Sequence, residues 1–325
     1  MSGRDPGVRA PIPVGRRETA NLPPRADRVG AVASQESPAV STEARAVSVA
    51  LVLTSGTSLL LGSALVISLF DEAGEAGALL LRLIFAAIVL LAISRPALRG
   101  HSTRAWRYVV VFALVVIGLN LAFYAAIDRA PLGIVSAIGF LGPLALGVAA
   151  SRRPIDFIWI AMAAAGVFLF TPLGGGSLDA LGLVLSLLFA AGWAGYVLGS
   201  SRLGQAFTGA DGLALAMAIS ALVMIPGGVI AGGSALVRPE VLAVGAAVAI
   251  LSTVIPYSLE IEALRRLHTG TFGILLSLQP AIAAVIGLAV LGQGLRATEV
   301  LAIGLVVIAS VGALGRARGP TPLEA

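Results

Sequence analysis

Arg129–Val148 reads RAPLGIVSAIGFLGPLALGV, and Arg266–Val285 reads RLHTGTFGILLSLQPAIAAV. Without a gap, Arg129 falls on Arg266, Gly133 on Gly270, Leu141 on Leu278, Pro143 on Pro280 and Val148 on Val285. Just ahead of them Ala126 falls on Ala263. Shared Ala, Leu or Val means little in a chain this rich in them. Arg, Gly and Pro in one register mark an internal repeat, and that repeat organises the rest of the reading.

The medium is set by composition. Of 325 residues, 58% are hydrophobic and 12% charged, where a soluble domain carries about 25% charged residues. That balance excludes an ordinary soluble enzyme, a disordered regulator and a disulfide scaffold, the last also because there is no cysteine. An all-α polytopic membrane protein remains. Residues 1–46 differ from everything after them, with seven arginines, six prolines and no apolar run. Such a segment buries too little surface to offset its ordering entropy, so a disordered tail is expected there. No apolar core follows the start closely enough for a signal peptide.

Beyond the tail the chain is apolar blocks between short breaks of Gly, Pro and charge. Spans are expected at about 47–70, 77–94, 106–127, 132–151, 155–172, 180–199, 211–230, 241–263, 270–291 and 297–314. A helix needs about 20 residues to cross roughly 30 Å of hydrocarbon, and helices are the default because lipid satisfies no backbone N–H or C=O. Ten spans are consistent with the charge. With a cytoplasmic tail, 18 arginines fall inside and only Arg129, Arg238 and Arg296 outside, with Arg82 in a span. That is the positive-inside pattern for cytoplasmic N- and C-termini. It also places the basic pI with topology rather than with nucleic acid.

The repeated stretches belong to spans three and four and to spans eight and nine. Five spans separate the copies, an odd number, so they cross in opposite directions. This is an inverted-topology repeat, a plan found in secondary transporters. The domain organisation expected is a first repeat over 47–172, a second over 180–314 and a short tail over 315–325. Pro143 and Pro280 fall inside their spans, where each removes a donor and kinks the helix, as a packing device or as gate lining.

Polar side chains inside lipid are costly, which makes them site candidates. Asn120 and Tyr124 are spaced i,i+4 in span three, and Ser136, Phe140 and Pro143 share a stripe of span four. Thr253, Tyr257 and Glu260 line span eight at i, i+4 and i+7; Ser277, Gln279 and Gly273 stand by Pro280 in span nine. Together they suit a small polar or zwitterionic molecule. Each also has a structural alternative. Ser and Thr bond their own helix backbone. Tyr124, Trp193 and Tyr196 could anchor an aromatic belt. Glu260 and Glu262 could pair with Arg265 and Arg266 near the cytoplasmic face. Arg82 could snorkel or pair with Glu72 or Glu75, or hold a substrate carboxylate.

Enzyme chemistry has little to work with. His101 and His268 lie in expected loops, and no Ser–His pair or His–Glu metal motif falls in a span. The glycines at 174–176 are not followed by Lys-Ser or Lys-Thr, so they form no phosphate cradle. No metal and no cofactor is expected. The partners expected are membrane lipid and a small-molecule substrate, with no nucleic acid; the oligomeric state is not written in the sequence.

Several segments resemble the EamA-type branch of the drug/metabolite transporter superfamily, and within it the bacterial threonine/homoserine exporters. They are Asn120-Leu-Ala-Phe-Tyr124, Ala130-Pro-Leu-Gly133, Gly142-Pro143, Ser151-Arg-Arg-Pro-Ile-Asp-Phe157 and Ala249-Ile-Leu-Ser-Thr-Val-Ile-Pro-Tyr-Ser-Leu-Glu260. Thr271-Phe-Gly273 and Leu301-Ala-Ile-Gly304 agree. The resemblance covers about 48–315 and is thin over the first two spans. It implies ten transmembrane helices in two inverted five-helix EamA repeats and export of small amino acids across the inner membrane. It also implies a cavity between the halves near spans three, four, eight and nine. The family pattern places Glu where this chain has Gly139, Gln279 and Gln293. Loss of those carboxylates points to hydrogen bonding by Gln279 and Asn120 in place of charge pairing, and to weak proton coupling. The competing readings are a carrier for another solute (a drug, nucleotide sugar or polyamine) and a membrane scaffold or sensor that transports nothing.

Overall fold

A computed structural model describes residues 42–150, 156–171, 178–264 and 275–314. Residues 1–41 of the expected tail, the Gly174–Gly176 loop and the C-terminus from Gly315 lie outside the described residues. So do Ser151–Arg153, Arg265, Arg266, His268, Gly270 and Gly273.

The secondary structure of the described residues is all helical. In order it forms α1 (Thr42–Ile67), α2 (Phe70–Ser94), α3 (Thr103–Ile127), α4 (Leu132–Gly139), α5 (Leu141–Ala150) and α6 (Asp156–Phe170). There follow α7 (Ala180–Ala206), α8 (Asp211–Gly232), α9 (Pro239–Ala249), α10 (Ile255–Leu264), α11 (Gln279–Leu291) and α12 (Ala297–Leu314). Among the described residues six stretches are long and apolar enough to cross a membrane, and four shorter apolar helices accompany them. Ordinary local signals start some of these helices. Ser102 caps α3 by accepting the Ala105 N–H at 3.2 Å, and Asp179 caps α7 by accepting the Gly182 N–H at 2.7 Å.

Several expected boundaries are corrected. The first helix begins at Thr42, five residues earlier than its apolar block, because its first turns are polar and carry no hydropathy signal. Span two starts at Phe70, with a left-handed residue at Gly74 (φ +65°) breaking its first turn. Span six runs on to Ala206, which puts Trp193 and Tyr196 near the middle of α7 rather than at its end.

Proline breaks three of the rods. α4 and α5 are separated at Phe140, three residues before Pro143, and a turn at Ser277–Leu278 stands in the same place before Pro280. A proline lacks the N–H that would bond the carbonyl four residues back, and its ring crowds that carbonyl. The third break is a π-turn, Ile250–Val254, between α9 and α10, just ahead of Pro256. It was not expected from the sequence.

Close pairs of helices build the bundle: α2 with α8, α3 with α7, α6 with α12, α1 with α10 and α4 with α11. In lipid there is no hydrophobic drive between apolar helices, so close contact through small residues carries much of the packing. A Cβ on Gly142 would fall on the Ala190 carbonyl oxygen of α7. A Cβ on Gly62 of α1 would stand 2.9 Å from Ser252 N in the π-turn. A Cβ on Gly139 would run into the Phe189 ring, so the volume a longer side chain would need there is already filled. Phe189 in turn stacks on Phe123 at 4.7 Å and Trp193 at 5.5 Å. At one end of the bundle, Gln293 Oε1 accepts the Leu132 N–H at 2.9 Å and ties the start of α4 to the end of α11.

Gly142→Ala is expected to cost about 1–3 kcal/mol, because its methyl meets main chain that cannot swing aside. Gly204→Ala, at a helical site with nothing within 4 Å, is expected to be neutral or slightly stabilising. Thermal unfolding of the detergent-purified protein distinguishes the two.

Candidate functional site

The polar side chains of the bundle converge on Arg82. Its Nη1 donates to Asn120 Oδ1 at 2.6 Å and to Tyr124 Oη at 3.2 Å, on successive turns of α3. Its Nε donates to Thr253 Oγ1 at 3.3 Å, and its Nη2 to the Ser252 carbonyl at 3.3 Å, both in the π-turn. Asn120 Nδ2 donates to the Val116 carbonyl at 2.7 Å, which turns its Oδ1 toward the guanidinium. Arg82 therefore bridges α2, α3 and the α9–α10 rod.

The main-chain acceptor is available for a local reason. Ser252 lies four residues before Pro256, so its carbonyl has lost its usual helical donor. Arg82 replaces that donor. The neighbouring Leu251 carbonyl accepts Ser58 Oγ from α1 at 2.7 Å. Ser252 Oγ itself bonds back to the Val248 carbonyl at 2.5 Å.

The expectation that Arg82 snorkels or pairs with Glu72 or Glu75 is corrected. Glu72 pairs with Arg238 at 2.7 Å at a helix end, while the guanidinium turns into the bundle. No carboxylate among the described residues stands within ion-pair distance of Arg82. Tyr124 is likewise no belt anchor: it is 1% exposed, bonded to Arg82 and packed on Phe70. Trp193 packs edge-on against Phe140 at 5.4 Å, and Tyr196 packs on Phe112 at 5.1 Å.

Glu260 lies further along the same rod. Its Oε1 accepts Ser55 Oγ from α1 at 2.9 Å, and the same hydroxyl is 3.3 Å from the Pro256 carbonyl. Its two expected ion-pair partners, Arg265 and Arg266, lie outside the described residues.

The remaining candidates sit beside this cluster. Gln279 is 4% exposed, and its Cγ and Nε2 face Gly56, the residue after Ser55. Ser277 is fully buried in the turn before α11. Ser136 is buried within α4, and Phe140 packs toward α7; no hydrogen bond joins either side chain to Arg82. Ser55 and Ser252 were not singled out from the sequence. Pro256 was the available signal for Ser252, since a proline within a span marks the carbonyl four residues earlier. For Ser55 there was no signal, because its partner lies 205 residues away.

A separate cavity of about 400 Å³ opens between the start of α3 and the end of α7, lined by His101, Arg104, Tyr108, Arg202 and Gln205. It lies roughly 24 Å along α3 from Asn120, taking 1.5 Å per residue, and takes no part in the Arg82 cluster. Among the described residues no group of three His, Asp or Glu converges as a metal site would need.

Residues 180–315 match the EamA-like transporter family. The threonine/homoserine exporter RhtA of Escherichia coli strain K12 is 39% identical over 266 residues, 81% of this chain and 90% of its own length. RhtA of Salmonella typhimurium strain LT2 is 39% identical over 264 residues, 81% and 89% respectively. One solved crystal structure superimposes with a TM-score of 0.56, covering 85% of this chain and 97% of its own, at 16% identity, a likeness of fold alone. With so much of its length shared at this identity, the multi-pass membrane chain belongs to the EamA-like transporter family, on the branch of the RhtA relatives.

Proposed function

We propose that the protein exports small neutral amino acids, threonine and homoserine among them, across the inner membrane by alternating access. One observation carries the reading: Arg82 draws together side chains from α2 and α3 with the π-turn of the α9–α10 rod. A cationic node joining elements of the two expected repeats is where a solute between rocking halves is held. The names of the RhtA relatives supply the solute class.

The inverted repeat and ten crossings draw support from the packing. Number the apolar rods one to ten, with α4–α5 as the fourth and α9–α10 as the eighth. Close pairs then join two with seven, four with nine and five with ten, each unchanged when the halves are exchanged. The pair three–six becomes one–eight on that exchange, and both are present. Alternation is supported at the ends. Glu72 meets Arg238, Arg129 lies 3.8 Å from Asp179, and Gln293 bonds Leu132, all between loops expected outside. The termini would then be cytoplasmic.

A polyamine carrier is less suited to this core. Of the hydrogen-bonded side chains in the cluster, Glu260 alone is a carboxylate, and a cationic Arg82 stands at its centre.

Expression in a threonine- and homoserine-sensitive host is expected to raise tolerance and to release both amino acids into the medium. Growth no better than with empty vector overturns the reading. Arg82→Gln, at matched membrane level, is expected to lower export at least tenfold. In proteoliposomes Gln279→Ala is expected to raise KM several-fold with folded yield unchanged; unaltered kinetics would remove Gln279 from the substrate's surroundings. Because positions 139 and 279 carry no carboxylate, an imposed pH gradient is expected to change the initial rate less than twofold.

A further inference from the structure

We infer that Arg82 and Glu260 are the two poles of a zwitterion clamp, with Arg82 taking the substrate's carboxylate and Glu260 its ammonium group. The inference rests on the transport reading above and adds how the solute is recognised and oriented. It begins from an imbalance. Among the described residues, two ionisable side chains of opposite sign lie within the bundle, each bonded only to neutral groups: Arg82 to Asn120, Tyr124, Thr253 and a carbonyl, Glu260 to Ser55. Away from water such charges gain strongly from pairing. Yet the fold holds them apart: Arg82 reaches from α2 to Thr253, and Glu260 stands further along the α9–α10 rod.

Their separation sets the size of the missing partner. Arg82 is docked on Thr253, and Glu260 follows seven residues later along the same rod, where it meets α1. At 1.5 Å per residue that is about 10 Å. An α-amino acid holding one charge-assisted hydrogen bond of about 2.8 Å at each end spans roughly 8–10 Å between the carbons of the two protein groups. A molecule with one charge would leave the opposite pole uncompensated.

The guanidinium is prepared for the exchange. Its Nη1 contacts to α3 include the short one, 2.6 Å, and fix the group in place. The Nε and Nη2 edge, the fork that grips a carboxylate with two parallel bonds, makes only two contacts of 3.3 Å. A carboxylate arriving there displaces Thr253 Oγ1 and the Ser252 carbonyl. That carbonyl then loses the donor that replaced its helical one, so occupancy acts directly on the π-turn. Tyr257, between Thr253 and Glu260 on the rod, is suited to a short side-chain hydroxyl.

The test is competition against labelled L-threonine uptake in proteoliposomes of the full chain. The competitors are unlabelled L-threonine, 1-amino-2-propanol (no carboxylate) and 3-hydroxybutyrate (no ammonium). In the wild type both analogues are expected to compete at least tenfold more weakly than threonine. Arg82→Gln is expected to abolish the discrimination against 1-amino-2-propanol only, and Glu260→Gln that against 3-hydroxybutyrate only. Wild-type threonine uptake with either analogue competing as well as threonine overturns the clamp and leaves the transport reading standing. No uptake of threonine or homoserine by the wild type overturns both. Should Arg82→Gln fail to give a monodisperse protein, the wild-type competition series and Glu260→Gln decide the matter.

Discussion

A guanidinium within lipid-spanning helices constrains everything near it. Placing arginine at the centre of a span costs roughly 2.5–3.5 kcal/mol by insertion measurements. Hydrogen bonds to a charged group each return about 1.5–3 kcal/mol, so a handful of good acceptors offsets the cost and one or two do not. Arg82 has four, and they come from two elements other than its own helix: Asn120 and Tyr124 on α3, Thr253 and the Ser252 carbonyl in the π-turn. The helices that meet here are therefore held by a polar node as well as by apolar packing.

One of those acceptors exists because of an irregularity. Pro256 removes a donor from the α9–α10 rod, and the rod responds with a π-turn over Ile250–Val254. The off-register carbonyls are then collected by side chains of other helices, Leu251 by Ser58 and Ser252 by Arg82. Gly62 lets α1 lie close enough for this. The backbone irregularity and the polar cluster are one feature. π-turns recur at functional sites because they present main-chain groups that an α-helix hides.

A second lesson concerns replacement. Where the resemblance implies a carboxylate before Phe140, this chain has Gly139, and the Phe189 ring occupies the space a side chain there would need. Phe123, Phe189 and Trp193 form an aromatic group on that side of α4. Gln293, at another such position, uses its amide oxygen to hold the Leu132 N–H across the α4–α11 contact. A neutral acceptor suffices for that tie, whatever the pH.

Much of the fold was legible in the sequence. Hydropathy located the apolar rods, and Pro143 and Pro280 marked helix breaks that fall three residues ahead of each. These properties are read over short windows, because a membrane demands continuous apolar length and a proline acts on the turn next to it. The site was legible only as a set of residue types. Arg82 was visibly out of place in a span, but where it points depends on which helices lie against α2. The Ser55–Glu260 bond joins residues 205 positions apart, and the space beside Gly139 is set by a ring fifty residues on. Sequence determined which polar groups enter the membrane; tertiary structure alone decided which of them meet, because packing brings together atoms that no local pattern connects.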